Sequence, residues 1–436
     1  MSLDVKYLSV IAGPPYPARY RTRTSNRHRE QSVAIHDFRL HGLLHCVRND
    51  GIVQGRQAMQ NMTQRIKSIF LAGLASLALT AQAQTVRPEV VASNLAHPWA
   101  LAFLPEGRFL VTERPGRLRV IEADGRLNPA LAGLPEVAAG GQGGLLDVLL
   151  DADFARNRTL FFCFSESGVG GNSTALARAQ LSSDRSRLEA VRVIFSARPK
   201  LASSAHFGCR IAESQTAGQP DGLLFMTLGE RYTRKEDAQT LGNHHGKLIR
   251  VAKDGRVPPD NPFVSTAGAL PEIWSYGHRN PQGLAVAPDG ALWAHEHGPQ
   301  GGDEINLIAP GRNYGWPVIS YGENYGGGPI GAGLSTKPGM VQPLHYWVPS
   351  IAPSGMAFVT STRYGSQWVG NLLVGSLKFG YLKRIELAKP FGGRVLREHK
   401  LLAELGERIR DVRQGPDGLI YVLTDQAQGQ LIRLLP

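Results

Sequence analysis

Near its end the chain reads Pro416-Asp417-Gly418-Leu419-Ile420-Tyr421-Val422, a Pro-Asp-Gly turn followed at once by a short apolar strand. Turns of this kind beside apolar strands are typical of β-hairpins. The same unit recurs in full copies at Pro105-Glu106-Gly107, Pro220-Asp221-Gly222 and Pro288-Asp289-Gly290, and in weaker copies at Arg156-Asn157-Arg158 and Gly370-Asn371. Six copies of one turn-and-strand unit predict an all-β fold built from repeats.

A second apolar strand follows several of these copies, as at 118–120, 248–251, 382–385 and 431–434. The six units share the 353 residues after residue 83, about 59 each, which exceeds the roughly 40–50 residues of compact propeller blades. We therefore predict a six-bladed β-propeller with long loops over the central channel. A β-sandwich or a two-domain all-β protein is the alternative. Because the last strand reaches the C-terminus, one blade is expected to be closed by the two ends of the chain.

The composition narrows the class of protein before any site is considered. The 436 residues carry a formal net charge of +12, and Gly and Pro together number 78. Three cysteines are too few for a disulfide scaffold, and the body of the chain has no apolar run of transmembrane length. A hydrophobic fraction of 42% argues against a disordered chain. The charge points to a nucleic acid or an anionic surface as partner only if it lies on the folded domain.

The first 83 residues resemble a leader rather than a part of the fold. Residues 1–61 show no sustained period and hold nine basic against four acidic residues. From Met62, the basic Arg65 and Lys67 precede the apolar run 69–81 and the sequence Ala81-Gln82-Ala83, the pattern of a secretory signal peptide. We predict that 62–83 is a signal peptide. Since an export signal belongs at the start of a chain, 1–61 is predicted to be a mis-extended or disordered N-terminus, with a genuine basic tail as the alternative.

Removal of residues 1–83 would take away more than half of the net positive charge. The remaining propeller domain, 84–436, carries only +5. We therefore expect no nucleic acid partner and no stable membrane insertion after the signal is removed. Cys163 and Cys209 are the two cysteines that would remain in an oxidising compartment. Two cysteines so far apart in sequence are expected to stay unpaired in the core, and a disulfide between them is the alternative.

Three Gly- and Pro-rich segments carry polar residues of the kind that rigid loops present at strand ends: 276–283, 296–304 and 311–317. Their carbonyl oxygens and acidic side chains suit a hard cation such as Ca²⁺, although each segment alone also fits an ordinary turn. His206 precedes a strand, and Glu230 ends the next strand of the same blade. A carboxylate there would orient the imidazole as a base, whereas an isolated histidine is more often structural.

A basic set in the last blades is a further candidate site. Lys378, Arg408 and Arg410 lie at or near strand ends, and the two arginines alternate so that both face one side. The set predicts either a pocket for a multiply charged anion or a solvated basic edge. The sequence has no P-loop and neither a Rossmann nor a nucleophile-elbow motif, which disfavours nucleotide cofactors and serine hydrolases.

Four motifs together resemble the soluble, periplasmic aldose sugar dehydrogenases of the glucose/sorbosone dehydrogenase family, which use pyrroloquinoline quinone (PQQ). They are Gly140-Gly141-Gln142-Gly143-Gly144-Leu145-Leu146-Asp147, Gly277-His278-Arg279-Asn280-Pro281-Gln282-Gly283, Asp303-Glu304-Ile305-Asn306 and Asn313-Tyr314-Gly315-Trp316-Pro317. The resemblance covers roughly residues 90–436. It implies a periplasmic protein with a six-bladed propeller, in agreement with the count of repeats.

The resemblance also implies roles for individual residues. His206 falls on the family's catalytic base and Glu230 on the carboxylate that steadies it. Arg279 falls on the arginine that contacts the reactive quinone oxygen. The other implied cofactor-binding residues are Gln142, His297, Ser350, Lys378, Arg408 and Arg410, of which the last three match the basic residues that hold the PQQ carboxylates.

Two calcium sites are implied in the same way. The carbonyls of Gly298 and Pro299 match ligands of a Ca²⁺ ion that also touches PQQ. Glu304 and the carbonyl of Tyr314 resemble a second, structural Ca²⁺ site.

Several positions depart from the glucose enzymes of the family. Ala205 stands in place of an Asp, and Val348 stands in place of a Trp that covers the ligand. Glu230, His297 and Ser350 also replace other residues. Because these changes fall at the sugar pocket, the chain resembles the branch that uses a broader range of aldoses.

The function implied by the resemblance is the oxidation of the anomeric C1 hydroxyl of aldoses to aldonolactones. His206 would take the hydroxyl proton as hydride passes to PQQ, and an external electron acceptor would then receive the electrons. A propeller-type metal-dependent sugar lactonase and a non-catalytic binding propeller are the alternatives. In a lactonase, the basic set of Lys378, Arg408 and Arg410 would have no role. In a binding propeller, it would be a surface patch.

Overall fold

The computed structural model describes residues 86–436. The predicted N-terminal extension, 1–61, and the predicted signal peptide, 62–83, lie outside these residues. None of the helices within 86–436 is long and apolar enough to cross a membrane.

Twenty-four strands form six four-stranded antiparallel sheets, which confirms the predicted six-bladed β-propeller. Blade 1 contains β2 (Pro98–Phe103), β3 (Phe109–Glu113), β4 (Arg117–Ile121) and β5 (Leu127–Ala130). Blade 2 contains β6 (Leu145–Leu150), β7 (Thr159–Gly168), β8 (Gly171–Leu181) and β9 (Leu188–Ser196). Blade 3 contains β10 (Ile211–Thr216), β11 (Gln219–Leu228), β12 (Lys247–Ala252) and β13 (Ile273–Tyr276).

The other three blades follow in chain order. Blade 4 contains β14 (Pro281–Val286), β15 (Leu292–Glu296), β16 (Asp303–Ile308) and β17 (His345–Trp347). Blade 5 contains β18 (Pro353–Phe358), β19 (Leu372–Ser376), β20 (Tyr381–Lys389) and β21 (Gly392–Leu401). Blade 6 contains β22 (Ile409–Gln414), β23 (Ile420–Thr424), β24 (Gly429–Leu435) and β1 (Arg87–Leu95).

The ring closes through strands from the two ends of the described chain. Strand β1 pairs with β24 in antiparallel register, from Arg87 opposite Leu435 to Leu95 opposite Gly429. The predicted closure of one blade by the chain ends is therefore confirmed. The first strands of neighbouring blades contact one another around the axis, for example β2 with β6 and with β22.

Five of the six turn motifs each lie between the first and second strands of a different blade, and the sixth, at 220–222, lies within the first residues of β11, the second strand of blade 3. In the Pro-Asp-Gly copies the Asp side chain accepts a hydrogen bond from the amide two residues on: Asp289 accepts from Ala291 at 3.0 Å and Asp417 accepts from Leu419 at 3.0 Å. The glycine that follows has a positive φ, +87° at Gly290 and +79° at Gly418. Asp supplies the acceptor and Gly the left-handed conformation, so the motif is a turn for a physical reason.

Helical structure is confined to short segments in the described residues. They are the single-turn α1 (Phe154–Asn157) and the 3-10 segments Pro105–Gly107, Lys235–Gln239, Ser366–Trp368 and Ala403–Leu405. Long stretches without regular structure join strands in blades 3 and 4, at 253–272 and 309–344. These stretches account for the excess length per blade that the sequence predicts.

The second strands are buried on both faces because neighbouring blades cover them. Strand β7 begins Thr-Leu-Phe-Phe-Cys-Phe, and Leu160, Phe161 and Phe162 have no exposed surface. Because both faces of such a strand are buried, its consecutive side chains are apolar and do not alternate between apolar and polar. This is why the repeat is visible in the sequence as short apolar blocks.

Cys163 and Cys209 form a disulfide, so the expectation that they stay unpaired is wrong. Cys163 lies in β7 of blade 2, and Cys209 lies two residues before β10 of blade 3. Their Cα atoms are 5.8 Å apart, within the range that a disulfide spans. A distance of 46 residues in sequence is no obstacle, because neighbouring blades bring the two side chains together.

Candidate active site

All six blades contribute to one cavity of about 860 Å³ around the propeller axis. Blade 1 supplies Trp99 and Arg114, and blade 2 supplies Gln142. The remaining contributions from blades 3 to 6 include Phe207, Asn280, His297, Ser350, Lys378, Arg408, Arg410 and Asp425. The size is typical of a pocket for a cofactor or a small ligand.

The basic set lies on one side of this cavity. Lys378, Arg408 and Arg410 all line it, and the Arg408 side chain is 52% exposed whereas that of Arg410 is 10% exposed. Asp425 lies between the two arginines, with Oδ2 at 3.1 Å from Arg408 Nη2 and 2.8 Å from Arg410 Nη2. Burial tends to raise the pKa of Asp425, but Arg410 and Arg408 overcome this and lower it. The cavity thus has three cations and one ionised carboxylate on this side.

Below the basic set, a buried ion network joins the first strands of three blades. Arg210 lies 2.9 Å from Asp411, and Arg413 lies 2.8 Å from Asp147. Because two cations face two carboxylates, the charges compensate one another away from water. The guanidinium of Arg210 also lies 4.1 Å from the ring centre of Trp99, which lines the cavity.

His206 and Glu230 form a buried pair beside the cavity. Nδ1 of His206 lies 3.1 Å from Oε1 of Glu230, and the two side chains are 6% and 1% exposed. The backbone amide of Tyr232 donates to the other carboxylate oxygen of Glu230. Burial lowers the pKa of His206, although the hydrogen bond to Glu230 opposes this shift. A carboxylate can only accept, so Nδ1 of the neutral imidazole carries the proton and Nε2 is left as the basic nitrogen.

Arg279 lies on the other side of this pair. The backbone carbonyl of Arg279 accepts a hydrogen bond from the amide of Glu230 at 2.9 Å. Its Nη1 donates to the carbonyls of His297 at 3.2 Å and Gly298 at 2.7 Å, and its Nε is buried with no partner in residues 86–436. The positive charge of Arg279 also lowers the pKa of His206, after the larger effect of burial.

Three other predicted cofactor-binding residues are held by hydrogen bonds. The Gln142 side chain accepts a hydrogen bond from the amide of His206 at 2.8 Å. His297 donates from Nε2 to the Pro353 carbonyl at 2.7 Å, and burial lowers its pKa. The Ser350 hydroxyl donates to the carboxylate of Asp303 at 2.9 Å.

A smaller cavity of about 280 Å³ adjoins the axial one. Glu230 and Arg279 line it, and its walls include the aromatic residues Tyr232, Trp316 and Tyr325. Tyr325 and Pro299 line both cavities, so the two meet there. Val348 lines neither of them, although it stands where the glucose enzymes have a covering Trp.

The carbonyls of Gly298 and Pro299, predicted to bind Ca²⁺, differ in their contacts. The Gly298 carbonyl accepts a hydrogen bond from Arg279 at 2.7 Å. The Pro299 carbonyl lies 3.4 Å from the Ser350 hydroxyl, whose single proton is donated to Asp303 at 2.9 Å. Each carbonyl oxygen has two lone pairs, so neither contact prevents it from binding a cation.

Glu304 and Tyr314, the other predicted metal residues, line a cavity of about 10 Å³ together with Glu296. A volume of this size holds roughly one water molecule or one ion. Burial, and then repulsion by Glu296, raise the pKa of Glu304 to about 8. Oδ1 of Asn306, next to these carboxylates, is buried and has no partner within the described residues. Two crowded carboxylates and an unsatisfied amide oxygen fit a hard cation such as Ca²⁺.

Comparison with known proteins finds relatives that this chain matches over nearly their full length. The family described as Glucose / Sorbosone dehydrogenase matches residues 95–433. The chain belongs to this family. The aldose sugar dehydrogenase YliI of Escherichia coli is 45% identical over 376 residues, which cover 85% of this chain and 99% of that protein. The predicted family resemblance is therefore confirmed.

Solved structures of family members agree with the propeller. The apo form of the soluble aldose sugar dehydrogenase from Escherichia coli is 44% identical, with a TM-score of 0.76 over 81% of this chain and all of that one. The PQQ-bound aldose sugar dehydrogenase of Streptomyces coelicolor is 27% identical, with a TM-score of 0.64 over 80% of this chain and 99% of that one.

The structure adds residues that sequence reasoning missed. Asp425 pairs with both cavity arginines, Tyr325 lines both cavities, and Asn306 donates a hydrogen bond to Glu304 at 3.1 Å. Asp425 precedes no motif, and Tyr325 lies in a Gly-rich loop, so neither has a signal in a single sequence. Asn306 was part of a quoted motif, and its position two residues after Glu304 on β16 gives both the same strand face.

Proposed function

We propose that this protein oxidises the anomeric C1 hydroxyl of aldose sugars to aldonolactones and uses PQQ as its cofactor. One observation carries the proposal: three basic side chains line the axial cavity, and a buried His–Glu pair lies beside it, joined to it through the hydrogen bond of His206 to the lining residue Gln142. The names of the family members that match this chain support the same activity. Neither a lactonase nor a binding propeller explains a basic set inside the cavity.

The cavity fits a planar tricarboxylate such as PQQ. Lys378, Arg408 and Arg410 supply three positive charges on one wall of the cavity. An arginine guanidinium can form bidentate hydrogen bonds with a carboxylate. Nε of Arg279 and Nε of Arg410 are buried without a partner among residues 86–436, so each has a donor to offer a ligand. When bound, PQQ supplies the oxidant that accepts the hydrogen and the two electrons lost from C1.

His206 is the residue that we assign as general base. Its Nδ1–H is held by Glu230, which leaves Nε2 to accept the proton of the C1 hydroxyl. Burial keeps the imidazole neutral near pH 7, the form that can accept this proton. As the imidazolium forms, the adjacent Glu230 carboxylate stabilises its charge.

Arg279 provides positive charge at the junction of the two cavities. Its guanidinium is fixed by the carbonyls of His297 and Gly298 and lies 5.2 Å from the ring centre of Trp316. A cation held in this way is preorganised to stabilise negative charge that develops during the reaction.

The smaller cavity is the proposed sugar site. It shares Glu230 and Arg279 with the catalytic group, and its volume of about 280 Å³ is that of a small ligand. The rings of Tyr232, Trp316 and Tyr325 offer apolar faces to the C–H groups of a sugar, and the nearby polar side chains offer hydrogen bonds.

The acidic cavity of Glu296 and Glu304 is the proposed structural Ca²⁺ site, with the Tyr314 carbonyl as a further ligand. The Ca²⁺ site at Gly298 and Pro299 remains a prediction from the family resemblance.

We further propose that the protein is exported to the periplasm through the signal 62–83. The Cys163–Cys209 disulfide supports this, since such bonds persist in oxidising compartments. Sequencing of the natural protein should find its N-terminus near Gln84. A natural terminus near Ser2 would contradict the assignment of the leader.

Reconstitution of purified apoprotein tests the proposal against its alternatives. PQQ and Ca²⁺ are added separately and together, and dye reduction is followed with several aldoses while hydrolysis of sugar lactones is measured in parallel. Dye reduction that requires PQQ is expected, with the dye standing in for the external electron acceptor. Lactone hydrolysis without PQQ would support a lactonase instead, and no activity in either assay would support a binding propeller.

A further inference from the structure

The loop that carries His206 has an unusual backbone. In this loop, residues 203–210, which we call the base loop, φ is +52° at His206, +65° at Gly208 and +78° at Cys209. Residues other than glycine rarely adopt this left-handed region, and they do so where the surroundings hold them in place. The question is therefore which contacts hold the base loop.

Three contacts attach the base loop to blade 2, although the loop leads into blade 3. The amide of His206 donates to Gln142 at 2.8 Å, and the Phe207 carbonyl accepts from the hydroxyl of Thr174 at 2.7 Å. Cys209 is bonded to Cys163. Thr174 is 2% exposed and both cysteines are fully buried, so the last two contacts are shielded from water, whereas Gln142 is exposed.

Blade 3 holds the same loop from the other side. The amide of Cys209 donates to the Thr227 carbonyl at 2.7 Å, and the Arg231 guanidinium lies 3.7 Å from the ring centre of Phe207. Glu230, the partner of His206, also belongs to blade 3. The imidazole is thus fixed at the boundary between two blades, and its orientation depends on the contacts that the base loop makes with both blades.

We propose that the Cys163–Cys209 disulfide and the Thr174 hydrogen bond form a clamp that positions His206 for proton transfer. The clamp residues are positioning residues: they touch the base loop and act through it. This inference rests on the proposed function, because it assigns His206 the role of base. The structural part of the inference does not depend on that role, since the clamp fixes the backbone directly after His206, at Phe207 and Cys209, in a conformation that the loop alone would leave.

The first test replaces the disulfide in the full protein by Cys163→Ala with Cys209→Ala. Far below the Tm of the variant, kcat for aldose oxidation is expected to fall about 10- to 100-fold, as small displacements of a catalytic group do. The Kd for PQQ is expected to stay unchanged. In the apoprotein, the pKa of His206 measured by NMR should move up toward its ordinary value as the imidazole loses its burial, with His206→Gln used to assign the signal.

A second variant covers the case in which the double replacement does not fold. Thr174→Val keeps the disulfide and the shape of the side chain and removes only the hydrogen bond to Phe207. We expect changes in the same direction as for the double replacement, with kcat reduced about 3-fold, as loss of one hydrogen bond implies. Leu373→Ala, in the buried core of blade 5, is the control: it should lower Tm and leave kcat and the His206 pKa unchanged.

The outcomes separate the clamp from the proposed function. If the wild-type protein shows no PQQ-dependent oxidation, the proposed function fails, and the His206 pKa alone then reports on the clamp. If the wild type is active and folded variants keep its kcat and its His206 pKa while losing only Tm, the disulfide is a general stabiliser and the clamp is refuted.

Discussion

His206 is 5% exposed and lines neither cavity, although its neighbour Phe207 lines the axial cavity and its partner Glu230 lines the smaller one. Its surroundings determine how readily it takes a proton. Burial lowers its pKa, Glu230 acts to raise it, and the charge of Arg279 lowers it again. The net direction is down from the ordinary value of 6.5, so the imidazole is neutral at pH 7. A neutral imidazole with one nitrogen held by a carboxylate is suited to act as a base.

The pH dependence of the reaction follows from this direction. We expect kcat to stay level from pH 8 down to 6.5 and to fall only at lower pH, where His206 becomes protonated and can no longer accept a proton. His206→Ala should lower kcat about 10²- to 10⁴-fold with the Kd for PQQ unchanged. His399→Ala, in an outer strand paired with Glu386, is the control. A kcat that declines from pH 8 downward, or an active His206→Ala variant, would contradict the assignment.

The basic wall of the axial cavity makes a prediction about affinity rather than rate. Arg408→Ala removes an exposed guanidinium that can meet a carboxylate, so the Kd for PQQ should rise roughly 10-fold or more. Arg397→Ala makes the same change of charge on the edge strand β21, outside the cavity lining, and should leave the Kd alone. Titration of apoprotein with PQQ measures both, and equal affinities would show that the wall does not bind the cofactor.

Tyr325 is expected to determine how well the sugar binds. It is 63% exposed and lines both cavities, where its ring can cover a sugar. Tyr325→Ala should raise KM for aldoses about 3- to 10-fold and leave the Kd for PQQ unchanged. Tyr346→Ala, an exposed tyrosine that lines neither cavity, is the matched control. An unchanged KM in the Tyr325 variant would move the sugar site elsewhere.

At the scale of single residues, what could be predicted depended on local motifs. Lys378, Arg408 and Arg410 were found because basic residues at strand ends stand out, and the structure places all three in one cavity. Asp425 was not found, because its ion pairs join strands β22 and β23 across a hairpin and leave no local pattern. The Cys163–Cys209 pairing was missed for the same reason, since blade packing and not sequence distance decides it.

At the scale of elements, the turn motif was the most informative signal. Five of the six copies mark the connection between the first two strands of a blade, and the copy at 220–222 marks the start of the second strand. In the Pro-Asp-Gly copies the side-chain acceptor and the positive φ of glycine fix the turn locally. The outer strands had no comparable signal: β5 and β13 have four residues each and β17 has three. Their position depends on the neighbouring strand, which a single sequence does not reveal.

The small acidic cavity, which lies at the turn between β15 and β16 and the start of β16, leads to a prediction about the effect of calcium on stability. In the metal-free protein the folded pKa of Glu304 is raised to about 8 from 4.5. The stability that this group contributes is therefore complete below pH 4.5 and is lost as the pH rises toward 8. Ca²⁺ binding would remove the repulsion between Glu296 and Glu304. We expect Ca²⁺ to raise Tm, and to do so more at pH 8 than at pH 5.

Glu304→Gln is the variant that tests this calcium site. It should abolish the Ca²⁺-dependent rise in Tm, which at 100 times the Kd corresponds to about 2.7 kcal/mol of stabilisation. Scanning calorimetry with chelator and with added Ca²⁺ measures the difference. If Ca²⁺ leaves the Tm of the wild type unchanged, or raises the Tm of Glu304→Gln by the same amount, the acidic cavity does not bind calcium.

At the scale of the whole molecule, ring closure explains why the ends of the domain matter to a site at its centre. Strand β1 completes the blade that carries Arg408, Arg410 and Asp425 on β22 and the adjoining turns. The buried network of Arg210, Asp147, Asp411 and Arg413 then joins this blade to blades 2 and 3 below the cavity. The axial cavity is thus a property of the closed ring.

Less than half of the net charge of the full sequence lies on the propeller domain. Of the formal +12, residues 84–436 carry +5, and the charge that bears on the proposed function is the local group around the axial cavity. The sequence could place that group only through its motifs and the family resemblance, because convergence of residues from six blades is set by the closed fold.

A single-turnover reaction tests the central claim most directly. Holoprotein loaded with one PQQ per chain is mixed without oxygen or acceptor with an aldose, and PQQ absorbance and sugar product are followed together. We predict one aldonolactone per PQQ reduced, with a slower reaction when C1 carries deuterium. A sugar that is consumed without a change in PQQ, or a product other than the lactone, would contradict the account.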